Sequence, residues 1–253
     1  MDIVSIPLMG GLGNYMFQIA AAYSYSLRNN KVAIFDLENA RKVHKHIETY
    51  SGNIFSKINT CGIPYDIKLK VIMETGFSYK ELPTLEGNVT LNGYFQSEKY
   101  FIDFEKEIKD LFRFKVAGLN PAGECSIHVR RGDYLNLPNH HPVQDMKYYN
   151  EAISKFEEGT KFLIFSDDMD WCKNEFISGT YEYIFVEGNN DYTDLYMMSK
   201  CDNNIISNST FSWWGAWLNE NVNKKVIAPK KWFGPAYEKN DTKDLYCKGW
   251  EII

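Results

Sequence analysis

Residues 161–176 read KFLIFSDDMDWCKNEF. The first six positions carry Phe162, Leu163, Ile164 and Phe165, the apolar run of a strand buried on both faces. Two aspartates follow, of a residue type that caps helices, and the remainder reads as the helix they open. The same unit recurs on either side. CSIHV at 125–129 is a strand, and MKYYNEAISKF at 146–156 is a helix with Tyr149, Ala152, Ile153 and Phe156 on one face. YEYIFVE at 181–187 is a strand, and DYTDLYMMSKC at 191–201 a helix with Leu195 and Met198 inward. NNIIS at 203–207, STFSWWGAWLNE at 209–220 and KKVIAP at 224–229 add a strand, a helix and a final strand that stops at Pro229. Strand–helix alternation sustained in this way predicts an α/β fold, with a parallel sheet covered by helices in the C-terminal half.

The chain opens in a related pattern. IVSIPLM at 3–9 is a strand, GGLGN at 10–14 breaks it, and YMFQIAAAYSYSL at 15–27 is a helix with Met16, Ile19, Ala20, Tyr23 and Leu27 at helical spacing. KVAIFD at 31–36 reads as the next strand. RKVHKHIE at 41–48 and SEKYFIDFEKEIKDLF at 97–112 read as helices, and the stretch between them has no clear order. The pattern divides the chain into an N-terminal domain, 1–122, and a C-terminal domain, 123–253.

The chain has 253 residues, a formal net charge of −5 and no basic block, which argues against a nucleic-acid or anionic-membrane surface. No apolar run approaches the ~20 residues that cross a bilayer, and the start lacks the layout of a signal peptide. Five widely spaced cysteines form no CxxC or Cys/His cluster and read as reduced thiols of a cytoplasmic protein. The sequons at Asn88, Asn208 and Asn240 are accordingly read as chance matches. Tyr, Phe and Trp number 17, 16 and 6; many are core, and aromatic faces also suit sugar rings.

The polar oddities follow strands directly. HVRRGDY at 128–134 places two of the chain's five arginines side by side, Arg130 and Arg131, with Asp133 behind them. Guanidinium is always charged, and its rigid donor fork fits phosphate oxygens. A solvated pair neutralised by Asp133 is the plainer reading, and an adhesion tripeptide a third. Asp167 and Asp168 follow the next strand; they cap a helix or accept bonds from a nucleoside. Ser209 and Thr210 follow a later one, where an N-cap and a phosphate site coincide at a helix start. In open parallel sheets ligands bind beyond the carboxyl ends of strands, so these clusters point to one site. Gly10, Gly11 and Gly13 make half of a dinucleotide fingerprint; Met16 stands where its third glycine belongs, which argues against a nicotinamide cofactor.

In order, GGLGNYMFQIA, HVRRGDY, FSDDMDWCK and SNSTFSWWGAWL resemble the motifs of the galactoside α-1,2-fucosyltransferases, across residues 10–218. Tyr15 departs from the glutamine usual there. The resemblance implies a GT-B type fold, two Rossmann-like domains facing across a cleft. It implies GDP-fucose as donor, a β-galactoside glycan as acceptor, inversion at the anomeric carbon, and no metal or other cofactor. It makes Arg130 the essential arginine, assisted by Arg131, with His128, Ser209, Thr210 and Phe211 on the donor and Asp167 or Asp168 on guanosine. Gly11, Gly13 and Asn14 fall near the reacting sugars, and Asp133 is the nearest carboxylate for a general base. A lipid-linked precursor at the inner face of a membrane is one acceptor of this kind. A different acceptor or linkage, and a carbohydrate-binding protein without catalysis, are the competing readings.

Overall fold

The structure is a computed structural model that describes residues 1–37, 47–63, 66–116, 121 and 124–253. It divides into two compact units, Met1–Lys115 with Asn240–Cys247, and Val116–Lys239 with Lys248–Ile253.

The first unit contains β1 (Ile3–Ser5), α1 (Leu12–Arg28), β2 (Val32–Ala33), α2 (Ile47–Ser51), β3 (Lys70–Met73), β4 (Val89–Asn92) and α3 (Glu105–Leu111). Its strands form a parallel sheet in the order β2-β1-β4-β3. Strands β3 and β4 lie in the stretch whose order the sequence does not show. Edge strand β3 leaves Val71 and Met73 exposed, so no clean alternation marks it. The helix expected over 41–48 falls outside the described residues up to residue 46. The helix expected over 97–112 is instead two 3-10 turns, Glu98–Tyr100 and Ile102–Phe104, followed by α3. The cause is packing. Tyr100 and Phe101 are buried against Phe95 and Phe17, at ring separations of 5.1 and 6.2 Å, and Phe101 leaves helical geometry at ψ 0°.

The second unit contains β5 (Cys125–Val129), α4 (Met146–Ile153), β6 (Lys161–Ser166), α5 (Met169–Glu175), β7 (Glu182–Phe185), α6 (Asp191–Lys200), β8 (Asn203–Ile205), α7 (Thr210–Trp217), β9 (Val226–Ala228) and β10 (Glu251–Ile252). All six strands are parallel, in the order β10-β9-β8-β5-β6-β7. Counted along the chain this is the doubly wound order 3-2-1-4-5-6 read from β7, and the winding reverses between β5 and β8. Ile127, Phe162, Ile164, Ile205 and Ile227 pack with Tyr149 and Phe176 of the flanking segments. β10 was not expected. The chain first passes through 240–247 in the other unit, where Asp244 accepts from the Tyr79 N–H at 2.9 Å and pairs with Lys99 at 2.5 Å. Among the described residues, no helix is long and apolar enough to cross a membrane.

Candidate functional site

In a doubly wound sheet the crevice opens where the winding reverses, beyond the carboxyl ends of the two strands that part there. In the second unit those strands are β5 and β8, tied by side-chain bonds: Asn204 Nδ2 of β8 donates to Ser126 Oγ of β5 at 2.7 Å, and a second bond lies at their carboxyl ends. His128, the penultimate residue of β5, holds its Nδ1 2.8 Å from the Ser207 hydroxyl just past β8. Burial, reinforced by the Arg130 charge, pushes its pKa down to about 3, so the imidazole is neutral. Its ring lies 5.4 Å from that of Phe211 in the first turn of α7.

Arg130 and Arg131 leave the end of β5 in different states. Arg130 is one-third exposed; its Nη1 meets Asp167 at 2.9 Å, its Nη2 meets Asp133 at 2.6 Å, and it stands 5.3 Å over the Tyr134 ring. Arg131 is half as exposed. Its Nε pairs with Asp168 at 2.9 Å, its backbone N–H donates to Asp167 at 2.9 Å, and its guanidinium lies 4.1 Å over Trp171. Asp168 also caps α5 by accepting from the Trp171 N–H at 3.3 Å. The aspartates after β6 are therefore the frame of the arginines after β5. Gly132 is required by this frame, since a Cβ there would fall 2.5 Å from Asp167 Oδ2. That leaves no free Arg-Gly-Asp loop, and the adhesion reading loses its basis.

Helix α7 begins beside this cluster. Ser209 is its N-cap and accepts from the Phe211 N–H at 3.3 Å, and no acidic residue stands in the first turn. Thr210 and Phe211 are partly exposed there. An apolar helix whose first turn carries no acidic residue keeps the positive end of its dipole there, which favours an anion. Asn208, buried, donates to Pro142 O and Trp232 O at 2.9 and 3.0 Å, accepts from Gln144, and so ties the exit of β8 to two loops. Its buried, bonded amide is not a glycan acceptor.

A further carboxylate of this unit, Asp194, has no cation beside it among the described residues. Asp194, in the first turn of α6 beyond the end of β7, is half-buried and accepts from Asn189 Nδ2 at 3.0 Å, and no ion pair reaches it among the described residues. Burial pushes its pKa up to about 6, with Asp191 adding to the shift against the Asn189 bond. Such a group gains from any ligand that brings N–H donors.

The first unit has its own reversal, between β1 and β4, and it is built of amides. Gly10 adopts φ +87°, and a Cβ there would sit 2.2 Å from Asn14 Nδ2. Gly11 precedes α1 in open space, and Gly13 is buried in its first turn. Asn14 Oδ1 accepts from Gln96 Nε2 at 3.0 Å. Gln18, fully buried, accepts from the Met9 N–H at 2.9 Å and donates to Gly93 O at 3.3 Å, tying the exit of β1 to that of β4. Tyr15 is 1% exposed and belongs to the packing beneath the motif.

The structure thus gathers His128, Arg130, Arg131, Asp133, Asp167, Asp168, Ser209, Thr210 and Phe211 at the carboxyl edge of one sheet, and Gly11, Gly13 and Asn14 at that of the other. Ser207, Asn208, Asp194, Glu74 and Gln96 were missed. Asn208 was visible only as a sequon, and Asp194 only as one acid among many. Among the described residues, no group of three or more His, Cys, Asp or Glu is gathered as a metal site.

Comparison with known proteins agrees with this architecture. Residues 3–253 match the family described as Glycosyl transferase family 11. An α-1,2-colitosyltransferase of Escherichia coli is 32% identical, covering 92% of this chain and 93% of that one. The O-antigen biosynthesis glycosyltransferase WbnK of Escherichia coli is 30% identical, covering 89% and 93%. A galactoside α-(1,2)-fucosyltransferase 2 of Bos taurus is 24% identical, covering 85% and 68%. Among solved structures, the NodZ α-1,6-fucosyltransferase soaked with GDP-fucose superposes with a TM-score of 0.53 at 12% identity, covering 86% and 92%. At that identity the likeness is one of fold, and the fold, with a parallel sheet in each of two units, is of the GT-B type.

Proposed function

The chain belongs to glycosyl transferase family 11 and is a glycosyltransferase, and from that premise we propose that it transfers L-fucose from GDP-fucose to the 2-hydroxyl of a terminal β-galactoside, with inversion. The observation that carries the reading is Arg130, partly exposed at the winding reversal, oriented by two carboxylates and adjoining a helix start free of acidic residues.

In the proposed step the acceptor oxygen attacks the anomeric carbon while the bond from that carbon to the β-phosphate oxygen breaks. The acceptor proton passes to a carboxylate, for which Asp133, exposed beside Arg130, is our assignment. GDP leaves with the bonding electrons. Charge grows on the β-phosphate as the bond breaks, so fixed donors aimed there favour the transition state over the ground state. Arg130 supplies the guanidinium fork, and the start of α7 at Thr210 supplies the positive end of a helix dipole. Arg131, clamped by Asp168 and Trp171, shapes the turn and adds positive field. The two arginines face three carboxylates, so the helix start contributes to compensating the diphosphate. Neutral His128 offers its remaining ring nitrogen without adding charge. Guanine carries an N1–H and a 2-amino group side by side, the donor pair that suits Asp194. The step as written uses no metal.

We place the acceptor on a lipid-linked surface-glycan precursor and the protein in the cytoplasm at the membrane's inner face. The relative named for O-antigen biosynthesis and the five cysteines, read as reduced thiols, support this. The donor sugar has a rival, because the 32% identical relative is named a colitosyltransferase.

The test is GDP release from GDP-fucose in EDTA with lactose, N-acetyllactosamine or lacto-N-biose, for the wild type and Arg130→Ala. Acceptor-dependent release that the variant lacks, with an α-1,2 product by NMR, is expected. Absence of both turnover and GDP binding overturns the donor assignment. GDP binding without fucose transfer, but with transfer of another deoxyhexose, moves the reading to that donor.

A further inference from the structure

We propose that Glu74 is a positioning residue: through the turn that leaves β4 it sets Gln96, and Gln96 sets the amide of Asn14. This rests on the reading that Asn14 touches the reacting sugars.

Glu74 follows β3 directly. Its Oε2 accepts from the Tyr94 N–H at 2.6 Å and its Oε1 from the Phe95 N–H at 2.9 Å. No ion pair reaches it among the described residues, so its two oxygens are spent on consecutive backbone donors. Burial pushes its pKa up and the two N–H bonds oppose that, so the carboxylate form depends on them. The turn it grips is not a relaxed one. Phe95 adopts φ +53°, in the left-handed region that a bulky residue rarely enters. Gly93 adopts φ +156°, and a Cβ there would fall 2.3 Å from Glu74 Cβ. Phe95 is itself fully buried, edge-on to Tyr100 at 5.1 Å. Backbone held in a sparse region persists where its surroundings over-determine it, and such places cluster at functional sites.

The turn has a product. The next residue, Gln96, donates from Nε2 to Asn14 Oδ1 at 3.0 Å, while its own Oε1 is buried with no hydrogen-bond partner among the described residues. A buried acceptor left unsatisfied loses its hydration with no bond in return, so Gln96 is a poor choice for stability alone. Its bond fixes which end of the Asn14 amide points where. The oxygen faces Gln96, and the nitrogen lies over Gly10, where a Cβ would come within 2.2 Å of it. Asn14 therefore presents an N–H donor at the carboxyl edge of its sheet. A sugar hydroxyl or ring oxygen is the matching acceptor.

The experiment is a thermodynamic cycle on the full chain, with GDP-fucose as donor and lactose as acceptor. Glu74→Gln puts an amide N–H against a backbone N–H and opens the turn, and Gln96→Ala removes the relay without touching the turn. Each is expected to lower kcat/KM for lactose about 10- to 100-fold, with GDP affinity by calorimetry unchanged. Added to Asn14→Ala, each is expected to cost little more, because the amide it positions is already gone. Losses that multiply in the double variants overturn the inference, since a merely structural Glu74 acts independently of residue 14. An unchanged kcat/KM in Glu74→Gln overturns it as well. If Glu74→Gln does not fold, Gln96→Ala and its double variant decide alone. Unchanged turnover in Asn14→Ala overturns the reading of Asn14 and this inference together, while loss in Asn14→Ala with multiplying losses elsewhere overturns only the inference.

Discussion

Two winding reversals occur in this molecule, and they are furnished differently. Between β5 and β8 the side chains are ionic: Arg130 and Arg131 framed by Asp133, Asp167 and Asp168, above a neutral His128. Between β1 and β4 they are amides, Asn14, Gln18 and Gln96, steadied by the Glu74 carboxylate, which accepts from two backbone N–H groups. The same topology thus offers two kinds of edge. A leaving diphosphate needs fixed positive charge. Sugar hydroxyls need directional neutral partners, which impose no charge where the anomeric carbon turns cationic.

The sharpest break in that comparison is a pair of variants. Arg130→Ala is expected to reduce kcat by about 10³-fold, since it removes a donor aimed at developing charge. Asn14→Ala is expected to reduce kcat/KM for the acceptor by about 10²-fold and leave GDP affinity unchanged. Steady-state kinetics beside GDP calorimetry check both, and a weakened GDP complex in Asn14→Ala would erase the division of labour between the two edges.

Asp194 sharpens the ionic side. Asp194→Asn is expected to weaken GDP about 10- to 100-fold, with little change for a nucleotide lacking the guanine donor pair. The free carboxyl titrates near 6 and the bound form must be ionised, so wild-type affinity for GDP falls as pH drops below about 6, close to tenfold per unit. Calorimetry from pH 7.5 to 5 reads this directly, and a flat profile removes Asp194 from the base site.

The glycines give a smaller and purely structural contrast. Gly10→Ala meets both a positive φ and the Asn14 amide, and is expected to cost about 1–3 kcal/mol in urea unfolding. Gly11→Ala, in open space at an extended position, is expected to change stability by less than about 0.5 kcal/mol. The last contrast is a slope with pH. His128 stays neutral in the fold down to about pH 3, whereas the unfolded chain takes up that proton near 6.5. Protons therefore favour unfolding across that window, and this group lowers stability by about 1.4 kcal/mol for each pH unit below 6.5. Urea midpoints for the wild type and His128→Asn separate this contribution from that of other groups.

The C-terminal sheet was legible because its central strands β5, β6, β8 and β9 are largely buried and helices alternate with the strands, so apolar runs and periodicity mark these elements. The extra strand β10 was not, because two residues supply no period and the chain reaches them only after leaving the unit. The segment 97–112 misled because Phe101, Phe104 and Ile108 fit helical spacing, while the aromatic packing of Tyr100 and Phe101 set the backbone.

The candidate site divides in the same way. By itself the sequence determined which residue types stand at strand ends: the paired arginines, the aspartates, the helix cap and the glycine turn. These are local facts, written in consecutive residues. Only the tertiary structure decided what they do to one another. It turned Asp167 and Asp168 from isolated acids into the frame of Arg130 and Arg131, joined His128 to Ser207, and left Asp194, among the described residues, without a cation. It also joined Glu74 to Tyr94 and Gln96 to Asn14. Hydrogen bonds and burial act over a few ångströms in space, between residues twenty to eighty apart in the chain, and no local pattern of residue types encodes that separation.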